Sequence, residues 1–514
     1  MKTIAITGSS GAMGKETLKA IMASRNNYRA KLLLLKKDKA YARKMKSLYG
    51  DRVEIIFGDV REYDDCFALC KGSDYVLHLA ALIPPKSDYD DNLTISVNYG
   101  GTKNIVDCIK YLDVKPKLLH ISTVAIYGHR NFLHPWGRVG DPLLPSVFDV
   151  YATSKMHAER YVLESGLVDY AVLRQTGILY DNLLMNNISD GLMFHTPWNV
   201  PIEWVTARDS GVLMVSILDK DVANEIPNFW RRVYNIGGGK GCRQTGYSVF
   251  EDGFKIIGGT VESFFEPNWN PPRNFHCFWF EDSNELDDIF HFQNQSSEDF
   301  WKEYKKKHAI YGVAKILPAS LIKTLVIKPL LKNANSPMKW VKANDVARIK
   351  ASFGAKENVN AIKDWQEFPL IIKGETAYGK FDYEKVKGNP NYKRLYHGYD
   401  ENKLDSELDI EDMKIVAKYR GGDCLSISME KGDLYTPLKW SCHNGHVFYA
   451  TPYTIIKAGH WCDKCCAPLR TWNYDNVVPH VPFYQQVWYD SHAKGEKYVY
   501  SISGGKTFIN KKVS

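Results

Sequence analysis

The first fourteen residues, MKTIAITGSSGAMG, run an apolar strand directly into Gly8, Gly11 and Gly14. That junction constrains the fold strongly. A strand that ends in closely spaced glycines and then enters a helix lets the backbone approach a pyrophosphate, while the helix N-terminus offers free N–H groups to the anion. The spacing is Gly-x-x-Gly-x-x-Gly, not the Gly-x-Gly-x-x-Gly of the dinucleotide fingerprint, and glycines also mark ordinary turns. The position between a clear strand and a clear helix favours the phosphate-binding reading.

The next 165 or so residues are consistent with it. Through residue 180 the pattern alternates, with strands at 3–7, 31–35, 53–57, 74–79, 117–122 and 170–174 and helical patterns such as 14–24, 100–111 and 151–165. Alternation of this kind predicts an α/β fold, a Rossmann-type doubly wound parallel sheet with helices on both faces, over residues 1–180. Residues 181–285 are less regular, with Pro197, Pro201, Pro227, Pro267, the Pro271-Pro272 pair and Gly237-Gly238-Gly239. Residues 286–410 read as a helical extension and linker. Within it, 311–331 mixes aliphatics with Lys315, Lys323 and Lys328 and is broken at Pro318. One reading is an amphipathic helix pair packed on the body of the protein; the other is a basic amphipathic element in peripheral contact with a membrane surface.

A chain of 514 residues is too long for one core, so two or three domains are expected. A net charge of +8 is mild for this length, and no basic run interleaved with aromatics marks a nucleic-acid path, so no nucleic-acid partner is expected. No charge-free apolar stretch of about 18 residues predicts a membrane span. The N-terminus reads as strand and loop, not as a signal peptide, which predicts a cytoplasmic protein. Five of the ten cysteines lie beyond residue 420, a metal-like cluster and not a disulfide framework.

Further motifs appear in order: Gly58-Asp59-Val60, His78-Leu79-Ala80-Ala81, Val97-Asn98-Tyr99-Gly100-Gly101-Thr102, Ser122-Thr123-Val124-Ala125-Ile126-Tyr127-Gly128, Tyr151-Ala152-Thr153-Ser154-Lys155, and Leu173-Arg174. With the glycine loop, they resemble the short-chain dehydrogenase/reductase superfamily in its extended, epimerase/dehydratase-like branch, over roughly residues 1–285. The resemblance implies an NAD(P)-dependent enzyme with a small substrate-binding lobe at 181–285. It also implies a homodimer through two helices per subunit, unless the C-terminal extension covers that surface. Tyr151 and Lys155 stand one helical turn apart, so the lysine charge lowers the phenol pKa from about 10 and suits it to proton transfer. In the family the tyrosine is the acid/base, the lysine also holds the nicotinamide ribose, and a strand hydroxyl polarises the substrate oxygen. Thr123 aligns with that hydroxyl, and Ser122 is the adjacent candidate.

By the same resemblance, Gly8, Ser10, Gly11, Met13 and Gly14 line the pyrophosphate loop. Asp59 and Val60 lie at the adenine, Ala80 and Ala81 near the ribose and nicotinamide, and Asn98 supports the centre. At the end of the second strand stands Leu35-Lys36-Lys37-Asp38. A base there accepts the 2′-phosphate of NADP and an acid holds the 2′-hydroxyl of NAD. Lys36 favours NADP, and the alternative is Asp38 on the ribose of NAD.

Val124-Ala125 replace the Asp-Glu pair of the dehydratases. A nucleotide-sugar epimerase needs cations for a diphosphate, for which Arg243 and Arg273 are the candidates. Met193-Phe194-His195, Trp198, Trp204, Trp269, Phe275 and Phe278-Trp279-Phe280 read as lobe core or as the wall for a bulky apolar small-molecule substrate. The expectation is therefore an oxidoreductase moving a hydride between NADP(H) and a secondary alcohol or ketone. The alternatives are an epimerase retaining NAD and a non-catalytic cofactor-binding scaffold.

Residues 439–466 contain Cys442-x-x-x-His446 and Cys462-x-x-Cys465, a set of four ligands suited to a tetrahedral, closed, structural zinc site. Cys466, His443 and His460 are the substitutes. The pattern resembles a zinc ribbon and predicts a zinc-ribbon-like domain at 411–514, serving packing or oligomerisation.

Overall fold

Seven parallel strands form the central sheet. They are β1 (Thr3–Thr7), β2 (Arg29–Leu34), β3 (Val53–Phe57), β4 (Tyr75–His78), β5 (Lys117–Thr123), β6 (Tyr170–Gln175) and β7 (Arg232–Ile236), in spatial order β7-β6-β5-β4-β1-β2-β3. The computed structural model describes residues 1–188, 190–370 and 394–502. The strand order reverses at β1, which opens a crevice between β1 and β4 at their carboxyl ends, where ligands of open α/β sheets bind.

Alternate residues of each strand serve opposite faces. Ile4, Ile6, Leu77, Leu119 and Leu173 pack under α1 (Ala12–Ala23) and, later in the chain, α6 (Ala207–Val222). On the other face Ala5, Val76, Leu118 and Val172 pack under α4 (Gly101–Tyr111) and α5 (Val150–Leu163). The connecting helices α2 (Lys39–Tyr49) and α3 (Tyr63–Cys70) complete the first half. Both faces are buried, and the strands accordingly read as continuous apolar runs.

The boundary expected at residue 180 is not where the sheet ends. After β6 the chain builds the lobe, returns through α6 and adds β7, which pairs with β6 along Arg232–Ile236. The strand carries little sequence signal because it is short, lies at the sheet edge and sits in a stretch punctuated by proline and glycine. The lobe itself has a two-stranded pairing of Pro201–Glu203 with Arg243–Thr245 and an aromatic core that includes Phe194, Trp198, Phe265 and Trp269. Phe278 and Phe280 join the sheet core. The buried members of the expected substrate wall are therefore core, while Trp204, Phe275 and His195 are half-buried.

Part of the predicted linker, 371–393, falls outside the described residues. From residue 394 on, the chain packs against α5. It contributes α7 (Ile410–Tyr419) and an antiparallel sheet of β8 (Gly422–Cys424), β9 (Leu438–Cys442) and β10 (Val447–Ala450), in order β8-β9-β10. This region is not a loose appendage: Trp440, Trp461, Trp472 and Tyr484 belong to the same core as Val162 and Val172. Polar contacts tie it to α5. Arg160 donates to the Trp461 carbonyl and to Asp463, both at 2.5 Å, and Glu164 accepts from Thr451. Among the described residues no single helix is long and apolar enough to cross a membrane.

At the centre of this junction lies Glu159, with its side chain fully buried. It accepts from Arg174 at 2.5 Å, from Ser122 at 2.5 Å and pairs with His460 at 3.0 Å. Arg174 in turn donates to the Tyr127 hydroxyl and to the Ala458 carbonyl, both at 2.6 Å. Burial alone would raise the Glu159 carboxyl, but the Arg174 guanidinium and His460 hold it well below the usual carboxylate range. Breaking a buried pair on one side leaves an uncompensated charge, which costs about 3–5 kcal/mol. Arg174→Met is expected to lower unfolding stability by that amount in chemical denaturation, with a smaller loss for the double variant Arg174→Met/Glu159→Leu.

Candidate functional site

The glycine loop bridges the crevice. Gly8 adopts φ +72°, and a Cβ there would stand 2.7 Å from the Ala80 nitrogen, so the loops after β1 and β4 touch backbone to backbone. A Cβ on Gly14 would lie 2.2 Å from the Gly8 carbonyl oxygen, so only glycine lets α1 begin this close to the strand. The first turn of α1 carries no acidic residue and Gly11 gives it no side-chain cap, so the positive end of the helix remains available to an anion. Thr7 braces the two loops: its hydroxyl bonds His78 at 2.9 Å and accepts from the Ala80 N–H at 3.1 Å. Met13, expected in the loop, is buried in the core under α1.

At the end of β2, Lys36 and Lys37 are exposed and Asp38 is half-buried. Asp38 accepts a hydrogen bond from Ser10 in the glycine loop at 3.4 Å, so the carboxylate and not the lysines faces the loop. Asp59 accepts from the Arg61 backbone at 3.0 Å and its guanidinium at 2.7 Å. Burial raises this carboxyl, but those bonds outweigh it and hold it below its ordinary value. The Val60 carbonyl accepts from Asn104 at 3.0 Å. Asn98 donates to Leu82 and to Ser154, both at 3.1 Å, and accepts from the Leu82 N–H at 2.8 Å. Its amide is thereby committed to joining the loop after Ala80 and Ala81 to α5, a positioning role.

Tyr151 and Lys155 lie one turn apart on α5, whose N-terminus is capped by Asp149 accepting from Ala152 at 2.8 Å. Burial pushes the Tyr151 phenol up to about 12, partly offset by a hydrogen bond with Thr123. Thr123 at the end of β5 lies beside the phenol and accepts from the Ala125 N–H at 3.2 Å, whereas Ser122 is spent on Glu159. Lys155 donates to the Ile121 carbonyl at 2.6 Å. Burial pushes its ammonium down to about 8, and the nearby Glu159 carboxylate limits the fall. His78 and His120 stack at 5.6 Å beneath these groups, and burial pushes His78 down to about 3. The arrangement is a proton donor, a tunable cation and a hydroxyl at the mouth of the crevice.

In the C-terminal region, the ligand atoms of Cys442, His446, Cys462 and Cys465 all lie within 4.8 Å of one another. Cys442 Sγ stands 3.8 Å from Cys465 Sγ, and His446 Nδ1 lies 3.4 Å from both Cys442 and Cys465 and 3.6 Å from Cys462. Sulfurs about 2.3 Å from a tetrahedral centre stand about 3.8 Å apart, so these spacings fit a zinc-sized ion. Asn444 donates to Cys465 Sγ at 3.2 Å, which supports a thiolate there. The substitutes lie elsewhere: His443 stacks on His480 at 3.7 Å, His460 is bound to Glu159, and Cys466 packs in the core.

Glu159 and Arg174 escaped the sequence reading as a linked pair. The available signal was that Glu159 stands one turn beyond Lys155 on the same helix face.

Residues 4–176 match the model of the NAD dependent epimerase/dehydratase family. A 3 beta-hydroxysteroid dehydrogenase/Delta 5-->4-isomerase of Mycobacterium tuberculosis is 29% identical over 138 residues, covering 25% of this chain and 36% of that protein. The Homo sapiens sterol-4-alpha-carboxylate 3-dehydrogenase, decarboxylating, is 30% identical over 112 residues, covering 22% of this chain and 29% of that protein. This chain thus spans about a third of the length of these curated relatives. A dTDP-glucose 4,6-dehydratase structure from Streptomyces venezuelae, with NAD and TYD bound, superposes over 60% of this chain and 98% of its own, at 18% identity and TM-score 0.48. Over residues 4–176, the chain therefore carries a domain of the NAD dependent epimerase/dehydratase family.

Proposed function

We propose that this protein is an NAD(H)-dependent oxidoreductase of the extended short-chain type, acting on a secondary alcohol or ketone of a bulky, apolar small molecule. The observation that carries the reading is a half-buried Tyr151 one turn from Lys155 on one helix, with Thr123 beside the phenol, next to the crevice that the glycine loop bridges. Gly8, Gly11 and Gly14 would hold the pyrophosphate, and the bound nicotinamide would supply or accept the hydride. In reduction Tyr151 gives its proton to the substrate oxygen, Thr123 orients that oxygen, and the Lys155 ammonium stabilises the phenolate left behind. Asp38, turned toward Ser10, favours the ribose hydroxyls of NAD, whereas Lys36 points to solvent and gives less support to NADP. The steroid and sterol dehydrogenases among the relatives favour a lipophilic substrate.

The epimerase reading has less support. Its diphosphate-binding candidates are engaged: Arg243 pairs with Glu203 at 2.8 Å, and Arg273 with Glu496 at 2.9 Å. We also propose that Cys442, His446, Cys462 and Cys465 bind a structural zinc, which with four protein ligands leaves no open position for catalysis.

The direct test is hydride transfer at 340 nm with hydroxysteroid and ketosteroid substrates, with NAD(H) compared against NADP(H). Tyr151→Phe is expected to lower kcat by about 100- to 10,000-fold while leaving dinucleotide affinity unchanged; retained turnover would exclude the mechanism. Because the Lys155 ammonium is lost as pH rises through about 8, kcat/KM for reduction is expected to fall above that pH. Lys155→Met should be slower and lack that inflection. Elemental analysis is expected to find one zinc per chain, absent from Cys442→Ser. A structural zinc contributes on the order of 10 kcal/mol, so its removal should lower Tm by several degrees or more; an unchanged Tm in metal-free protein argues against the site.

A further inference from the structure

From Tyr304 to Asn344 the chain has nine lysines and no aspartate or glutamate. Within this stretch two helical arms, Ala309–Ile316 and Ala319–Leu330, meet at 107° at the break containing Pro318. Only one side of this element is packed. Ile322 and Ile327 are buried with Phe194, Phe265 and Trp269 in the lobe core. The opposite side is open: Ile310 is 72% exposed, Ile316 81% and Leu325 64%, with Val313 and Leu317 exposed beside them.

Scattered exposed aliphatics are ordinary on a protein surface, but a concentration of them on one bent element is not. Neither arm can cross a bilayer. The longer, if fully helical, would span about 18 Å, against about 30 Å of hydrocarbon. The 107° bend and the burial of Ile322 and Ile327 against the lobe favour lying flat, and the charges suit it. Lys315, Lys328 and Lys332 are exposed and form no ion pair among the described residues. Lys307 and Lys323 instead anchor the element, through Asp181 and Glu266. Apolar side chains rimmed by long lysines, with no carboxylate in the stretch itself and with Asp181 and Glu266 paired to lysines, complement anionic headgroups over acyl chains.

We propose that the bent element 309–330 docks the protein on the surface of an anionic lipid bilayer, with Ile310, Ile316 and Leu325 entering the boundary of the acyl chains and the lysines resting at the headgroups. The element sits on the substrate lobe: a Cβ on Gly191 would lie 3.2 Å from the Leu330 carbonyl. Docking therefore holds the lobe against the membrane face. The proposal stands on this surface alone and does not require the enzymatic reading.

The test is flotation of the full chain with phosphatidylcholine vesicles, with and without about 30 mol % phosphatidylserine. The protein is expected to float with the anionic vesicles at least about tenfold more than with neutral ones, and less at high salt as charge is screened. Ile316→Asp/Leu325→Asp should lose about tenfold in bound fraction with an unchanged Tm, since both sites are exposed. Lys315→Glu/Lys328→Glu should lose the preference for phosphatidylserine. Absence of flotation at either composition overturns the proposal, as does full binding by the lysine variant. A dimer that the aspartate variant splits, without lipid binding by the parent, would assign the patch to a second copy of this chain and likewise overturn it.

Discussion

The buried carboxylate of Glu159 ties the central sheet to the C-terminal region. Glu159 sits on the helix that carries Tyr151 and Lys155, yet its partners come from the sheet and from the C-terminal region. A charge with no access to water is tolerated only where donors surround it. Ser122, Arg174 and His460 meet that demand together, and Arg174 extends the web to Tyr127 and the Ala458 carbonyl. The strand that presents Thr123, the helix that presents Tyr151 and the segment leading into Cys462 are therefore held in one register.

This arrangement gives the C-terminal region a structural reason to exist beside the dinucleotide-binding sheet. It covers α5, whose His157 bonds the Ala467 carbonyl at 2.8 Å and whose Arg160 bonds Trp461 and Asp463. That face of α5 is consequently filled by the same chain. The Cys442–His446–Cys462–Cys465 cluster lies a few residues from His460 and closes the hairpin of β9 and β10 onto the short helix at Asp463–Cys466. The proposed zinc would stiffen a segment that buttresses the helix of Tyr151 and Lys155.

Local chemistry was the legible part. The glycine loop, the Tyr151–Lys155 spacing and the four metal-type ligands are short-range patterns, and each keeps its meaning wherever the chain goes. The parallel sheet with helices on both faces came from the alternation of apolar strands with helices, because crossover connections leave few arrangements. Less legible were features set by distant partners. The aromatic run around Phe194, Trp198 and Trp269 reads equally as substrate wall or core, and packing made it core. Residues 311–331 read either as a packed helix pair or as an element on a membrane surface, and of its aliphatics only Ile322 and Ile327 are buried deeply.

By itself the sequence determined an α/β domain of parallel strands that opens on a glycine loop, and a tyrosine and a lysine one helical turn apart, since those depend on backbone freedom at glycine and on the helical repeat. The tertiary structure decided that Asp38 and not Lys36 faces the loop, and that Ser122 turns to Glu159 while the Thr123 hydroxyl accepts from the Ala125 N–H. It decided too that β7 returns to the sheet and that the C-terminal region merges with the first core. The physical reason is common to all of these: a side chain's direction, and the partner that satisfies it, come from residues far away in the chain, and no local pattern encodes that distance.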